Sequence, residues 1–252
     1  MHKVSACVLT YNEESNLPRL LQNVSFCDEI VVLDHFSTDQ TPRIAKAHPK
    51  VKFVQEAFKG FRTQKNRLLE LASHDWVLCL DADEFLDEQA ISGIQNVLNN
   101  DTPYTVYRIP RKCVYLGRWI RHGGWYPDYQ IRFFNKGNAQ WAGKEIHEYV
   151  VPRTTQVAEL SGNIVHISFR NISHQIDKNN FYSSRLAQQL VQEHRFSVVA
   201  MWVHPLMTFV RMYILKRGFL DGVPELIVSM NSAASTFLKY AKAWEIKQSK
   251  SS

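Results

Sequence analysis

The sequence of 252 residues lacks most of the features that sort a chain at a glance. Its four cysteines, Cys7, Cys27, Cys79 and Cys113, are scattered and form no Cys-x-x-Cys pair. A disulfide framework and a zinc ribbon are both set aside, and the thiols read as free in a reducing compartment. No G-x-x-x-x-G-K-[ST] run is present, which excludes P-loop chemistry, and no G-x-G-x-x-G follows the first apolar run, which argues against a nicotinamide-dependent enzyme. The start, "MHKVSACVLTYNEE", has no long apolar h-region and reads as the first strand of a cytoplasmic protein. The most apolar stretch, "VVAMWVHPLMTFVRMYIL" at 198–215, is broken by His204, Pro205 and Arg211. It falls just short of the roughly 20 apolar residues a spanning helix needs. Internal repeats are absent, and the only low-complexity tract is the polar tail "KQSKSS".

What is present is an ordinary globular composition, 45% hydrophobic and 21% charged, in a chain long enough to bury a sizeable core. The net charge of +6 is uneven: residues 175–252 hold 10 of the 30 Lys and Arg but only 5 of the 24 Asp and Glu. A basic segment also rich in Phe, Trp, Tyr, Met and Leu suits an anionic membrane surface. Nucleic acid is the other usual partner of basic patches, but no recognition motif accompanies this one, so nucleic acid is excluded. The expected organisation is a catalytic domain over 1–174 and a basic, aromatic helical region over 175–252 that associates with membrane.

The first hundred residues alternate strand-like and helix-like runs. "VSACVLTY", "EIVVLD", "VKFV" and "DWVLCLD" read as strands; "NLPRLLQNV", "STDQTPRIAKAH", "FRTQKNRLLELA" and "EQAISGIQNVL" read as helices. Ser37, Thr38 or Asp39 is available to cap the second helix. This alternation predicts an α/β fold with a mostly parallel central sheet, Rossmann-like, in which ligands bind beyond the carboxyl ends of the strands. Polar clusters stand at three of those ends: "TYNEE", "DHFSTD" and "DADE". The last is the most demanding, because Asp81, Asp83 and Glu84 repel one another unless cations or donors join them. A divalent cation, Mg²⁺ or Mn²⁺, resolves the repulsion and leaves coordination positions for water and a diphosphate.

Together "TYNEESNLPRLL", "EIVVLDHFSTDQT" and "DWVLCLDADEF" resemble the successive signatures of family 2 glycosyltransferases with the GT-A fold. Downstream, "GGWYPDYQIRFF", the Trp141-to-Glu148 segment and "RGFLDGVPELIVSMNSAASTFLKYAKAWE" resemble bacterial lipopolysaccharide inner-core β-1,4-glucosyltransferases that act on heptose. The resemblance implies a UDP-sugar donor, a divalent cation, a glycolipid acceptor and a place on the cytoplasmic face of the inner membrane. It implies that Thr10, Asn12 and Glu13 line the nucleotide end of the cleft and that Asp34 and Asp39 hold the uracil and ribose. Lys65 would meet the nucleotide or diphosphate, Asp81 the ribose or sugar, and Asp83 the metal, with His147 completing its shell. The sequence departs from the family at His35 and Phe36, where a small residue and glycine are usual. Phe36 either covers the base or packs down.

Inverting transfer needs a base for the acceptor hydroxyl, and Asp128 in the Gly-rich loop beside Trp125 and Glu148 are the two candidates. Arg132 is a candidate phosphate partner, whereas His122, His166 and His174 read as structural. Phe209, Arg211, Tyr213, Lys216 and Arg217 are placed to reach lipid headgroups. Three rival readings stand beside this one: a polyprenyl-phosphate or protein acceptor, a nucleotidyltransferase, and a sugar-nucleotide-binding module without turnover. The acidic "TYNEESN" lacks the Gly- and Lys/Arg-rich loop that a nucleotidyltransferase wants for triphosphate.

Overall fold

The computed structural model describes residues 2–249 apart from 145 and 146; the side chains of 144 and 147 also lie outside the described part. Two compact units emerge, one of Met1–Arg111 with Tyr129–His166 and one of Lys112–Asp128 with Ile167–Ser252. The sequence suggested a single cut after His174. Residues 112–128 instead join the C-terminal unit, because three strands each carry the chain from one unit to the other.

The first unit opens with β1 (Val4–Thr10), α1 (Leu17–Asn23), β2 (Glu29–Asp34), α2 (Thr41–Ala47), β3 (Val51–Gln55), α3 (Phe61–Leu71) and β4 (Trp76–Asp81). β1, β2 and β4 are runs of apolar residues buried along almost their whole length, as strands covered on both faces must be. β2 pairs parallel to β1 and to β3, and β1 pairs parallel to β4. The registers align Thr10 with Asp34 and Leu9 with Asp81, so the carboxyl ends of the three strands share one edge. With β5 (Glu84–Leu86), β6 (Val106–Tyr115), β8 (Asp128–Asn135) and β12 (Ile164–Phe169), the sheet continues in the order β3-β2-β1-β4-β8-β6-β12-β5, β8 being antiparallel to β4. β6, β8 and β12 are the strands that cross between units. β9 (Ala139–Lys144) and β10 (His147–Pro152) form a separate antiparallel hairpin. The core beneath α3 gathers Cys7, Leu33, Leu68, Val77, Cys79, Phe134 and Trp141. All four cysteines are buried.

One element escaped the sequence reading. After Asp81 the chain turns at once into a three-residue strand, β5 (Glu84–Leu86), which pairs antiparallel with β12 and aligns His166 with Glu84. Next comes α4 (Glu88–Asn99), capped by Asp87, whose Oδ1 accepts from Ala90 N at 2.9 Å. Asp87 also receives Asn163 N at 3.0 Å and Asn163 Nδ2 at 2.9 Å, so one side chain starts a helix and anchors the entry to β12. The expected cap of α2 differs: the helix begins at Thr41, because Ser37 and Thr38 bond to residues on other segments while Asp39 Oδ1 accepts from Thr41 N.

In the second unit, α5 (Ile172–Gln192), α6 (Val198–Phe209) and α7 (Val223–Ser249) are the long helices, with α5 and α6 packed on α7. α6 runs into a π-helical turn, Val210–Leu215, and then a 3₁₀ turn, Gly218–Asp221. None of residues 198–215 is buried, and by length and composition this stretch is apolar enough to cross a membrane, where the sequence reading judged it just short.

Gly162 meets the capping site at close range. Its φ is +90°, and a Cβ there would stand 2.2 Å from Ala90 N and 2.6 Å from Asp87 Oδ1. Gly162→Ala therefore combines left-handed strain with a backbone clash, and urea unfolding should show a loss of about 2–4 kcal/mol.

Candidate active site

The acidic cluster that ends β4 is joined by the protein's own cations. Glu84 has no exposed surface; its Oε1 receives Arg132 Nη2 at 3.2 Å and Arg111 Nη1 at 3.1 Å, and its Oε2 accepts the Asp81 N–H at 3.1 Å. Asp81 is held from both sides, by Lys65 Nζ at 2.8 Å and by Arg132 Nη2 at 3.1 Å. Lys65 also meets Glu148 Oε1 at 3.0 Å. Below lies Trp141, with Lys65 Nζ 4.6 Å and Arg132 Cζ 5.2 Å from its ring centre, an arrangement that favours both cations. Asn66 fixes that tryptophan by a reciprocal pair of bonds with its N–H and C=O, each 3.0 Å. Three cations thus face three carboxylates, Asp81, Glu84 and Glu148.

Burial alone would raise the Asp81 carboxyl, but the Lys65 and Arg132 charges outweigh it and hold Asp81 well below the usual carboxylate range. Burial would lower Lys65, yet Asp81 and Glu148 raise it, so the ammonium stays charged. The Asp81 side chain keeps 35% of its surface exposed, whereas Lys65 keeps 8% and Arg132 6%. The cluster therefore presents one carboxylate outward from a buried cationic base. Lys65, expected at the nucleotide or diphosphate, lies beside Asp81 with its ammonium between two carboxylates.

Asp83 points elsewhere, with its Oδ2 3.3 Å from His166 Nε2 and both side chains half-buried. His166, read as structural, is the histidine that the fold brings to the Asp-x-Asp turn. It arrives through the β5–β12 pairing, which no local pattern announces. His147 belongs to β10, and its side chain lies outside the described residues. Among the described residues no three His, Cys, Asp or Glu side chains gather as a ready-made metal cage.

At the neighbouring strand ends, two loops are laced together. The buried Asp34 accepts from Thr10 Oγ1 at 3.0 Å, Ser37 N at 2.9 Å and Gln55 Nε2 at 3.0 Å, and it also bonds Ser37 Oγ. Asn12 Oδ1 accepts Thr38 N at 2.9 Å while Asn12 N donates to Ser37 Oγ at 2.8 Å. Glu13 N donates to Thr41 Oγ1 at 2.8 Å, and Glu14 N to Asp39 Oδ2 at 3.0 Å. Asp34, which the resemblance assigned to the nucleoside, is fully enclosed here and organises these loops, as does the side chain of Asp39. Residues 35 and 36 resolve differently from one another. Phe36 takes φ +61°, the left-handed conformation that glycine would adopt, and its ring is exposed. His35 stacks on Tyr11 with ring centres 4.4 Å apart, and Phe58 lies 5.1 Å beyond. This exposed aromatic step at the sheet edge was not read from the sequence, where Tyr11 was only a strand end.

Asp128 opens β8 in the second unit, after the Tyr126–Pro127 peptide. Four residues on, the same strand supplies Arg132.

Two consequences can be measured. Arg132→Met leaves the buried Glu84 with half its ionic partners, and chemical denaturation should show about 3–5 kcal/mol lost. Asp81, being depressed, contributes stability that is present above the ordinary carboxylate value near 3.9 and lost as pH falls below it. Asp81→Asn should accordingly flatten the decline of stability below about pH 4; an unchanged acid limb would show that Asp81 is not held as described.

The sequence profile described as "Glycosyl transferase family 2" matches residues 5–156. An uncharacterised glycosyltransferase of Rickettsia typhi is 30% identical over 98% of this chain and 88% of its own length. The lipopolysaccharide core biosynthesis glycosyltransferase LpsC of Rhizobium meliloti is 26% identical over 96% of this chain and 92% of its own. Among solved structures, Staphylococcus aureus TarS 1–349 in complex with UDP-GlcNAc superposes with a TM-score of 0.52 at 16% identity, covering 98% of this chain and 92% of that one. The mannosyltransferase PcManGT of Pyrobaculum calidifontis, in complex with GDP-Man and Mn²⁺, gives 0.51 at 16% identity over 98% and 86%. These likenesses show the fold, the GT-A architecture of nucleotide-sugar enzymes. With the profile spanning more than half of the chain, this protein belongs to glycosyl transferase family 2.

Proposed function

We propose that this glycosyltransferase inverts configuration as it moves a hexose, glucose in the first instance, from a UDP-sugar to a heptose of the lipopolysaccharide inner core. The observation that carries the reading is the split of the acidic turn into two functions. Asp81 is presented outward on a cationic base, and Asp83 is paired with His166. The whole-length likeness to LpsC supports the acceptor class, and the motif resemblance supports the donor.

The residues fit a divalent cation. Asp83 and His166, with Oδ2 and Nε2 3.3 Å apart, would hold it through a carboxylate oxygen and an imidazole nitrogen. Mn²⁺ or Mg²⁺ held there would supply Lewis-acid stabilisation of the leaving diphosphate. Asp81 then accepts hydroxyl donors of ribose or sugar, oriented by Lys65 and Arg132. Thr10, Asn12, Glu13 and Asp39 shape the nucleoside loops, while the Tyr11–His35 step offers a face for the uracil ring.

For the base, Glu148 is disfavoured because Lys65 occupies its carboxylate. Asp128 takes the role: it removes the acceptor hydroxyl proton as that oxygen bonds to the anomeric carbon, the bond from that carbon to phosphate oxygen breaks, and UDP departs. Its place in the Gly-rich loop beside Trp125 supports this choice.

The enzyme works on a membrane surface in this reading. Val199, Trp202, Leu206 and Leu215 are all more than 60% exposed, and Arg211, Lys216 and Arg217 lie along or beside the same stretch. One side of α6 is held to α7, where His204 Nδ1 meets Tyr240 OH at 2.7 Å. A helix bound on one side and apolar on the other suits the interface plane, with Phe209 and Tyr213 at headgroup depth.

Calorimetric titration of UDP-glucose with and without Mn²⁺ tests the site. Asp83→Asn and His166→Ala should each weaken metal-dependent binding at least about tenfold, the lower bound even for outer-shell partners of a metal. Tight binding of a different nucleotide sugar would retain the chemistry and discard glucose; no nucleotide sugar binding would leave a module without turnover. Separately, the protein should sediment with vesicles containing phosphatidylglycerol, less so as salt rises, and Trp202→Glu with Leu206→Glu should abolish it. Equal sedimentation of that double variant would remove α6 from the interface.

A further inference from the structure

The motif "RGFLDGVPE", residues 217–225, is not absorbed by the reaction above, yet it packs against the loop that leads to Asp128. Both lie in the second unit. Asp221 is buried, and its Oδ2 accepts two successive backbone donors of that loop, Arg121 N at 2.8 Å and His122 N at 2.7 Å. Its Oδ1 faces His122 Nδ1 at 3.1 Å. The next amide, Gly123 N, donates to the Lys216 carbonyl at 3.0 Å, and Trp125 N closes back on His122 O at 3.1 Å. Burial would raise the Asp221 carboxyl, but the donors from His122 and Arg121 outweigh it and lower it, so the carboxylate is charged where it grips the loop.

Underneath, the backbone approaches too closely for any side chain. A Cβ on Gly123, at φ +65°, would stand 1.9 Å from Glu225 Oε1; one on Gly124, at φ +91°, would stand 2.1 Å from Lys216 Nζ. One on Gly218 would lie 2.8 Å from Glu225 Cγ. Glu225 has no exposed surface, and while Oε1 takes Ser229 Oγ at 3.1 Å, Oε2 has no hydrogen-bond partner. Burial, helped by Asp221, pushes this carboxyl up to about 7. The loop therefore rests on the buried Glu225 carboxyl and hangs from the charged Asp221.

We infer that Asp221, with Glu225 beneath the loop, is a positioning residue for sugar transfer: the strap 216–225 fixes residues 121–125 and so aims Asp128 three residues further on. This rests on the reading of Asp128 as base. Three consecutive amides tied to one strap constrain a loop more tightly than packing of its side chains would, since each carries its own direction. A positioned base owes its efficiency to that placement, and small displacements cost rate rather than donor affinity.

The test uses the full chain. Asp221→Ala should speed amide exchange at Arg121 and His122 by about tenfold or more, the factor that loss of a charge-assisted hydrogen bond carries. UDP-glucose affinity should stay within about twofold, while kcat for transfer to a heptose acceptor falls about tenfold. Asp221→Asn keeps an oxygen for both amides and should restore most of kcat. Gly123→Ala, which drives the loop off Glu225, should reproduce the loss of kcat without loss of donor affinity, and it serves if Asp221→Ala does not fold. Unchanged exchange in Asp221→Ala overturns the strap. A loosened loop with full kcat, or an Asp221→Asn variant with a tight loop and no recovered rate, overturns the positioning role. If the wild-type chain binds no nucleotide sugar, the functional reading falls and takes the catalytic half of this inference with it, and amide exchange alone then decides whether Asp221 holds the loop.

Discussion

A carboxylate with no exposed surface sits at the turn where the sheet meets its ligand edge, and the geometry of the first unit's site follows from keeping it charged. Glu84 is reached by Arg111 from β6, by Arg132 from β8 and by the Asp81 amide from the end of β4. Desolvating such a group is expensive, and only well-aimed cations and donors offset it. Arg132 bridges the two carboxylates through one nitrogen, its Nη2 lying 3.2 Å from Glu84 Oε1 and 3.1 Å from Asp81 Oδ2. The network therefore does more than neutralise charge. It fixes Asp81 against β8 and determines which carboxylate faces out.

That division changes the meaning of the acidic turn. Three acids in four residues suggested a divalent cation held by one or two of them, the simplest relief of their repulsion. The fold relieves it in two ways at once. Glu84 and Asp81 are balanced by Arg111, Arg132 and Lys65, and Asp83 is turned toward His166. The protein's own side chains suffice to hold the turn together.

The strand ends were legible because apolar runs ending in acids are local patterns, and the parallel register then brings Thr10, Asp34 and Asp81 to one edge without further information. The partners were not legible. Lys65 precedes Glu148 by 83 positions, and Asp83 precedes His166 by the same interval, so nothing within a window of sequence connects them. β5 was missed for a related reason: three residues contain no period, and their strand character comes entirely from pairing with β12. Asp34 shows a different limit. Its position at the edge was correct, but whether a carboxylate faces a ligand or the interior depends on donors from Gln55 and Ser37, which the chain path alone delivers. Phe36 marks the converse case. It takes the left-handed backbone that glycine adopts readily, and the lacing of Asn12, Ser37 and Thr38 holds it there at a strain of about 1–2 kcal/mol.

In the second unit, chain order itself carries a physical argument. Residues 198–215 form the exposed apolar helix and its π-helical turn, and residues 216–225 immediately form the strap. The Lys216 side chain is wedged against Gly124 while its carbonyl holds Gly123, so the last residue after the apolar stretch is also the first to grip the loop. Arg217 then adopts φ +55° and Gly222 φ +71°, two left-handed residues that bracket the strap and let it fold back sharply. The exposed apolar segment and the strap are thus one continuous piece of chain joined through the π-helical turn, so the place where that turn ends sets the position of the strap and of the three loop amides it holds.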